Sequence, residues 1–370
     1  MKGDREAAIF MNILRGIAAF SMLFLAAAES NAAGVTIGVV APQGGDLQQL
    51  GGQIFAGANY QITKDGNTIV TINEPCEENS GAAIADALVN AKVQVAIGFL
   101  CSETLESALP KLKDANIPAI TVSVRARILM EDALKNGWPL FRLAPADGAE
   151  AARIIEAILN DWEAAPIALI EDGTIHGREL TEAIRNALEE KGLKPVFTDT
   201  YRPGQDQQIA LVRRLKKAGA TKVFVGGDRA DVAVIARDAA AERIPLAILG
   251  GDAMRAANQP LPLPDGVRAV TMPEYDTLQP AQATAAALRA QGIEPEGYVL
   301  PAAAAAAVAQ QAVTAATTEG KTVAEKLVGT TFATPIGDLT FTAGQELSEN
   351  PYRLLEWRRG TFAAPDGPKD

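Results

Sequence analysis

The chain is poor in the residues that most often do chemistry. Its 370 residues include one histidine, His176, and two cysteines, Cys76 and Cys101. A single histidine excludes most histidine-based catalysis and most zinc sites, which need several imidazole or thiolate groups. No glycine-rich dinucleotide fingerprint follows a strand-like segment, and no G-x-S-x-G element occurs. The sequence nominates no catalytic set, so we expect a protein that is not an enzyme and needs no cofactor or metal.

Positive charge is also scarce. The formal net charge is −11, and no basic patch stands out along the chain. Nucleic acids and anionic lipid surfaces are therefore poor partners. The composition, 48% hydrophobic and 21% charged, is typical of a globular protein, and the length allows two domains.

The N-terminal segment indicates export. Basic residues precede the apolar run Gly16–Ala28, and Ser30 and Ala32 follow it in the small-x-small spacing that signal peptidase recognises. The run is too short for a spanning helix, which needs about 20 apolar residues. We predict a cleaved signal peptide over residues 1–32 and a periplasmic protein; a buried N-terminal helix is the alternative. Met11 is a second candidate for the start of translation.

The predicted export bears on the state of the two cysteines. An even cysteine count in an exported protein favours a disulfide, and Cys76 and Cys101 allow one pairing only. Closing a loop of about 25 residues would stabilise the fold by roughly 3 kcal/mol. Two free, buried thiols remain the alternative at this point.

Strand-like and helical patterns alternate along the rest of the chain. Apolar runs such as "GVTIGVVAP", "VQVAIGF" and "AITVSV" suit parallel strands that are buried on both faces, with helical segments as crossovers between them. The extended stretch Trp138–Asp147 ends at a proline, and a fresh series follows it, with "PIALIED", "KVFVGG" and "LAILGG". These patterns predict an α/β protein with two doubly wound parallel-sheet lobes. Because such sheets bind ligands at the carboxyl ends of their strands, two facing lobes predict a cleft for a small solute.

The order of these segments resembles that of a known family. Matching pieces span nearly all of the chain after the leader: "TIGVVAP", "IGFLCSETLESALP", "FRLAPADGAEAARII", "IALIEDGTIHGREL", "LVRRLKKAGATKVFVGG" and "VTMPEYD". In this order and spacing the chain resembles the type I periplasmic solute-binding proteins of ABC importers, in the leucine/isoleucine/valine-binding group. Members of that group carry a disulfide at the place of Cys76 and Cys101, just before a serine that touches the ligand.

The resemblance implies a hinge of three segments between the lobes. It places the crossings near Arg142–Pro145, Thr271–Glu274 and Thr334–Gly337. The N-terminal lobe would then comprise residues 33–143 plus 274–334, and the C-terminal lobe residues 144–273 plus 335–370.

On the first lobe, the resemblance implies a group of ligand-binding residues. Ser102 opens a helical segment, where it serves as an N-cap, offers its hydroxyl and nearby amides to a ligand carboxylate, or does both. Ser123 ends the strand "AITVSV", in a loop where the family binds the same carboxylate. Arg125 stands where the family has a threonine, and it either grips a carboxylate or turns to solvent. Leu50 replaces a common aromatic, and Tyr298 is expected near the mouth of the cleft.

On the second lobe, three residues stand at family ligand positions. Asp252 follows "LAILGG", where the family holds the ligand's ammonium group with an acid; capping a short helix is its alternative role. Asp228 follows "KVFVGG", where the family often has an aromatic residue, and a helix cap is the favoured interpretation. His176 stands where the family has a tyrosine that closes over the ligand; a structural or surface role is the alternative.

These replacements lead to a functional hypothesis. We expect the periplasmic component of an ABC importer, a monomer that captures a small amino-acid-like solute by hinge closure and delivers it to the permease and ATPase. Because Arg125, His176 and Asp228 make the pocket wall more polar, we expect a ligand more polar than leucine. The alternatives are a secreted sensory module of the same fold, or an importer subunit for an amide, a small carboxylate or a polyol.

Overall fold

The computed structural model describes residues 34–162, 165–257 and 259–365. The predicted signal peptide over residues 1–32 lies outside the described residues. Two sheets, each covered by helices on both faces, belong to one compact unit that begins at Val35. The predicted α/β architecture with two doubly wound lobes is confirmed.

The first lobe is built on a five-stranded parallel sheet in the order β2-β1-β3-β4-β5. Its strands are Thr36–Ala41 (β1), Thr68–Asn73 (β2), Val95–Gly98 (β3), Ala119–Thr121 (β4) and Leu140–Arg142 (β5). The helices between them are Gln48–Lys64 (α1), Gly81–Asn90 (α2), Ser102–Asp114 (α3) and Arg127–Asn136 (α4). β3 and β4 are buried throughout, as expected for central strands of a parallel sheet, and Thr121 at the end of β4 is their one polar residue.

The second lobe is built on a seven-stranded sheet in the order β14-β13-β10-β9-β8-β6-β7. Its strands are Ile167–Glu171 (β6), Phe197–Thr200 (β7), Lys222–Gly226 (β8), Ala247–Gly250 (β9), Arg268–Thr271 (β10), Arg353–Arg358 (β13) and Thr361–Ala363 (β14). Its helices are Ala149–Trp162 (α5), Ile175–Glu190 (α6), Ile209–Lys217 (α7) and Arg229–Ala241 (α8). β13 and β14 pair antiparallel, so this sheet is parallel only from β7 to β10.

The remaining elements return to the first lobe. They are Gln282–Ala290 (α9), Val299–Glu319 (α10), Val323–Leu327 (α11), and the antiparallel hairpin of Thr331–Thr334 (β11) and Gly337–Thr340 (β12). The alanine-rich α10 packs on α1 so closely that a Cβ at Gly57 would lie 1.8 Å from the Val299 carbonyl oxygen. α10 is long and apolar enough to cross a membrane, but most of it is buried inside the first lobe. It is the core helix of that lobe.

The chain passes between the two cores at three places. Leu143 packs in the first core and Ala149 against the second, and the return lies between Met272 and Tyr275. These passages overlap the crossings expected at 142–145 and 271–274. The third passage lies between Leu347, in the first core, and β13.

The predicted third crossing at Thr334–Gly337 is wrong. Thr334 and Gly337 pair with each other as the closing pair of the β11–β12 hairpin. Ile336 and Phe341 are buried in the first core, and the Phe341 ring packs edge-on against Phe141 at 5.4 Å. The turn therefore stays on the first lobe, because burying these apolar side chains there holds the hairpin in place.

Candidate functional site

The predicted ligand-binding residues lie at the carboxyl ends of the strands of both sheets. In the first lobe, Ser102 follows β3 and Ser123 follows β4. In the second lobe, His176, Asp228 and Asp252 follow β6, β8 and β9. This is the edge at which open α/β sheets bind ligands, because loops and helix N-termini with free polar groups meet there.

The segment before Ser102 is held by the predicted disulfide. Cys76 and Cys101 are bonded, with their Cα atoms 5.4 Å apart, so the pairing is confirmed. Ser102 is the first residue of α3, and Cys101 occupies the capping position without a side-chain hydrogen bond. The prediction that Ser102 caps this helix is therefore wrong by one residue. Ser102 is half-buried, and in the part of the chain that the structure describes its hydroxyl makes no hydrogen bond, so it is available at the helix N-terminus.

A buried carboxylate also holds this segment, through hydrogen bonds to its backbone. Glu74, which follows β2, is 1% exposed and accepts the backbone N–H groups of Leu100 (2.8 Å) and Cys101 (3.1 Å). Burial raises the pKa of Glu74 to about 7, against the two hydrogen bonds that lower it. Glu74 was not among the predicted site residues; the signal in the sequence was an acidic residue directly after a strand, two positions before a cysteine. Glu74 and Cys76 thus fix Leu100 and Cys101 immediately before Ser102.

The Ser123 loop is fixed by hydroxyl groups. The Thr121 hydroxyl oxygen accepts the N–H groups of Ser123 (3.3 Å) and Val124 (3.1 Å). The Tyr298 hydroxyl donates to the Ser123 hydroxyl at 3.2 Å, so the structure brings these two predicted residues together. Leu50 lies half-buried in the first turn of α1, and within the described residues no hydrogen bond or ring contact joins it to the other predicted residues.

Arg125 makes a contact that the sequence analysis did not expect. Its residue is exposed, but its guanidinium donates to the Tyr352 hydroxyl at 3.1 Å, across from the first lobe to the second. The loop that carries it is anchored by Arg142, which is 2% exposed and donates to the carbonyl oxygens of Arg125 (2.6 Å) and Ala126 (3.3 Å). Arg142 also forms an ion pair with Glu346, which directly precedes the third passage. One buried guanidinium therefore connects the loop that carries Ser123 and Arg125 to the start of the third passage.

On the second lobe, Glu150 organises two predicted residues. This buried carboxylate in the first turn of α5 accepts the Asp252 N–H at 2.7 Å and lies 3.5 Å from His176 Nε2. Burial raises the pKa of Glu150, opposed by the Asp252 N–H and by the nearby His176. Asp252 does not cap a helix. Its carboxylate accepts the Met272 N–H at 2.9 Å, which ties it to the second passage of the hinge.

His176 and Asp228 line one small cavity of about 230 Å³ at the ends of β6, β8 and β9. Asp172, Thr174 and Gly227 share this cavity with them. Asp228 occupies the capping position of α8, but its side chain makes no capping hydrogen bond. The favoured helix-cap interpretation is thus right about the position and wrong about the bond.

The described residues offer one grouping of three potential metal ligands, Glu74 with Cys76 and Cys101. Both sulfur atoms are used in the disulfide, and Glu74 already accepts two backbone N–H groups. Thiolates, not disulfide sulfurs, are the metal ligands that cysteine supplies, so this group is structural.

The chain is similar to known proteins over most of its length. A family model described as "Periplasmic binding protein" matches residues 34–361. Among curated relatives, the Leu/Ile/Val-binding protein homolog 3 of Brucella melitensis is 26% identical over 345 residues, covering 89% of this chain and 92% of the relative. The Leu/Ile/Val/Thr-binding protein of Salmonella typhimurium is 26% identical over 360 residues, covering 93% and 96%.

Solved structures share the fold. A putative branched-chain amino acid ABC transporter protein from Rhodospirillum rubrum superposes with a TM-score of 0.74 at 17% identity, covering 90% of this chain and 100% of that one. At this level of identity the likeness concerns the fold alone.

Proposed function

Because this chain belongs to the periplasmic binding protein family, we propose that it is the solute-binding component of an ABC importer, with an amino acid as its solute. The observation that carries the proposal is the different kind of group that each lobe presents at the carboxyl ends of its strands. Hydroxyl groups and a helix N-terminus lie on the first lobe, and carboxylates lie on the second. A zwitterion offers the complement to both.

Ligand binding would begin on the first lobe. The ligand carboxylate would dock at Ser102, where the N-terminus of α3 favours negative charge, and at Ser123. The second lobe would then swing in about the three passages of the chain, bringing Asp252 to the ammonium group and His176 over the ligand. Because a closed state that is stabilised by ligand differs in surface from the open one, closure would signal occupancy to the permease.

Delivery requires the correct compartment. The leader over residues 1–32 would direct export and be removed near Ala33, leaving a periplasmic monomer that meets the permease and ATPase complex at the inner membrane. Mass spectrometry of the protein exported from a bacterial host tests this step. A mature mass corresponding to cleavage near Ala33 supports it, and retention of the leader contradicts it.

The function itself is tested by ligand binding. The purified protein is first unfolded in guanidinium and refolded, which strips any solute carried from the host. A thermal-shift screen against the twenty amino acids then follows. At a ligand concentration of about 100 times Kd, binding stabilises the native state by about 2.7 kcal/mol, which is a clear rise in Tm. No shift with any amino acid, confirmed by calorimetry, would contradict the proposal.

A further inference from the structure

The cavity lined by His176 and Asp228 contains two carboxylates, those of Asp172 and Asp228. Both are additional to Asp252, which is proposed to bind the ammonium group of the amino acid. We call this cavity the acidic pocket. It is lined by Asp172, Thr174, His176, Gly177, Leu180, Gly226, Gly227, Asp228, Gly251 and Ala253. Asp252, the residue proposed for the ligand's ammonium, is next to this lining in sequence but not part of it.

The two carboxylates of the acidic pocket have no cationic partner. Within residues 34–162, 165–257 and 259–365, neither Asp172 nor Asp228 forms an ion pair. Asp172 accepts the N–H (2.9 Å) and hydroxyl (2.6 Å) of Thr174, and both bonds use its Oδ1 atom. The nearby Arg178 guanidinium is directed to the Gly173 carbonyl oxygen instead, at 2.6 Å.

A buried hydroxyl behind the pocket is also unpartnered. Tyr201 is 3% exposed, and its hydroxyl has no hydrogen-bond partner in the described part of the chain. It is directed at the pocket wall, because a Cβ added at Gly227 would lie 1.9 Å from the Tyr201 oxygen and 3.2 Å from Asp172 Cβ. Burial, together with the charges of Asp231, Asp172 and Asp228, raises the pKa of Tyr201 above its ordinary range. The hydroxyl therefore stays protonated, so it is neutral and keeps its hydrogen as a donor.

Glycine lets neighbouring groups of the protein pack closely against the same wall. A Cβ at Gly251 would lie 2.3 Å from Glu150 Oε1, and one at Gly226 would lie 2.8 Å from the Gly177 carbonyl oxygen. Side chains are excluded at these positions, so the pocket has a backbone floor beside the apolar Leu180. Such a surface suits a methylene chain with a polar group at its end.

We propose that the acidic pocket receives a cationic group at the end of the ligand's side chain, so that the transported solute is a basic amino acid. This inference rests on the proposed function, since it assigns the class of amino acid. Closing the lobes would remove two unpaired carboxylates from water, a loss that an ammonium or guanidinium group offsets and an aliphatic side chain does not. A guanidinium or ammonium group donates hydrogen bonds to both carboxylates.

Isothermal titration calorimetry on the refolded protein tests the class of ligand. L-Arginine, L-lysine and L-ornithine are compared with L-leucine, L-isoleucine and L-glutamine. We expect at least one basic amino acid to bind at least about tenfold more tightly than every neutral one. Tighter binding of leucine or isoleucine would overturn the assignment and leave the proposed function intact. Absence of binding by all six, with no shift across the twenty amino acids, would overturn both.

Charge-removing variants test the pocket directly. Asp228→Asn removes a carboxylate that makes no capping bond, and Asp172→Asn retains an Oδ1 acceptor for Thr174, so both variants should fold. We expect each to raise the Kd of the preferred basic amino acid by about tenfold or more. The control is Glu190→Gln, at the exposed end of α6, which should change Kd less than about twofold.

The variants are first checked for folding by circular dichroism and Tm. An unchanged Kd in both folded aspartate variants overturns the assignment of the pocket. An equal loss of affinity in Glu190→Gln also overturns it, because the effect would then come from the overall charge of the protein.

Discussion

The two lobes hold the carboxyl-end edges of their sheets, where the predicted ligand-binding residues lie, in different ways. On the first lobe, the segment before Ser102 is held by a disulfide and by the buried Glu74, and the Ser123 loop is held by Thr121 and Arg142. On the second lobe, Asp228 has no capping bond, and His176 has a side chain that is 60% exposed. The first edge is fixed and hydroxyl-rich, whereas the second combines the fixed Asp252 with an open acidic pocket.

This difference suggests a division of labour. Groups that are fixed before binding suit the part of the ligand that all amino acids share, because pre-organisation lowers the entropy lost on association. Exposed side chains on the lobe that moves suit the part that varies. Within this family, a change of ligand class would then be expected to appear mainly on the second lobe, where Asp228 and His176 depart from the aromatic residues implied by the resemblance.

The largest expected effect comes from releasing the first edge. The double variant Cys76→Ser with Cys101→Ser should lower the free energy of unfolding by about 3 kcal/mol, because the loop closed by the disulfide regains its freedom in the unfolded chain. Urea denaturation, with the midpoint and slope both fitted, measures the change. The matched control is the wild-type protein under reducing conditions, which should reproduce the loss.

Affinity should fall as well if the first edge is pre-organised. In the double serine variant the loop before Ser102 is less restrained in the free protein. Part of the entropy cost of ordering this loop is then met when the ligand binds, which lowers the affinity. A double variant that is destabilised as expected but binds its ligand with wild-type Kd would show that the disulfide serves stability alone.

The next effect concerns the pH dependence of stability. The folded-state pKa of Glu74 is raised from 4.5 to about 7, so the folded protein retains a proton that the unfolded chain has lost. The resulting stabilisation is fully present below about pH 4.5 and is lost as the pH rises through 7. Between pH 5 and pH 8 the loss amounts to about 2 kcal/mol.

Glu74→Gln should remove this slope, because glutamine does not titrate. Urea midpoints at a series of pH values, for wild type and variant, make the comparison. At pH 8 the variant has its own cost, since one amide oxygen replaces two acceptors for Leu100 and Cys101. Identical pH profiles for the two proteins would show that Glu74 is ionised throughout this range.

A smaller effect is expected on the second edge. Glu150→Gln keeps an acceptor for the Asp252 N–H but loses the charge next to His176. We expect a loss of about 1 kcal/mol in stability and a severalfold rise in the ligand Kd, because the turn that carries Asp252 is less firmly held. Glu156→Gln on the same helix, where the carboxylate is half-exposed in an i,i+3 pair, is the control and should cost a few tenths of a kcal/mol. Equal effects of both variants on Kd would argue against a role for Glu150 at the site.

Features that depend on residues close together in the chain could be predicted from the sequence, whereas contacts between distant residues could not. Buried apolar runs and the helices between them depend on local patterns, so the two α/β lobes could be predicted. The disulfide could be predicted because an exported chain with two cysteines allows one pairing. The role of Glu150 could not be predicted, because its partner Asp252 lies 102 residues away in the chain. The pairing of Arg142 with Glu346 spans 204 residues, so nothing local to either residue reveals it.

The predicted position of the third passage between the lobes was wrong for a related reason. The segment "TPIG" at Thr334–Gly337 has the turn signals of a connection. A turn of this kind is equally compatible with a hairpin and with a crossing between lobes. The distinction depends on Ile336 and Phe341, whose burial in the first core is set by residues far along the chain, among them Phe141.

The smallest expected effect on stability concerns the contact that joins the two edges. Arg125 donates to the Tyr352 hydroxyl, and this bond connects the loop that carries Ser123 and Arg125 on the first lobe to the second lobe. Tyr352→Phe removes the hydroxyl and keeps the buried ring, so the free energy of unfolding should fall by no more than about 1 kcal/mol. The freed guanidinium would then be able to meet a ligand carboxylate, so ligand affinity should be unchanged or improved, as measured by calorimetry. Arg125→Lys is the matched variant, because it keeps the charge but loses the planar, multiply donating group. If Tyr352→Phe instead weakened binding as much as Arg125→Lys, the pair would act as one unit in the bound state, and the two edges would not be independent.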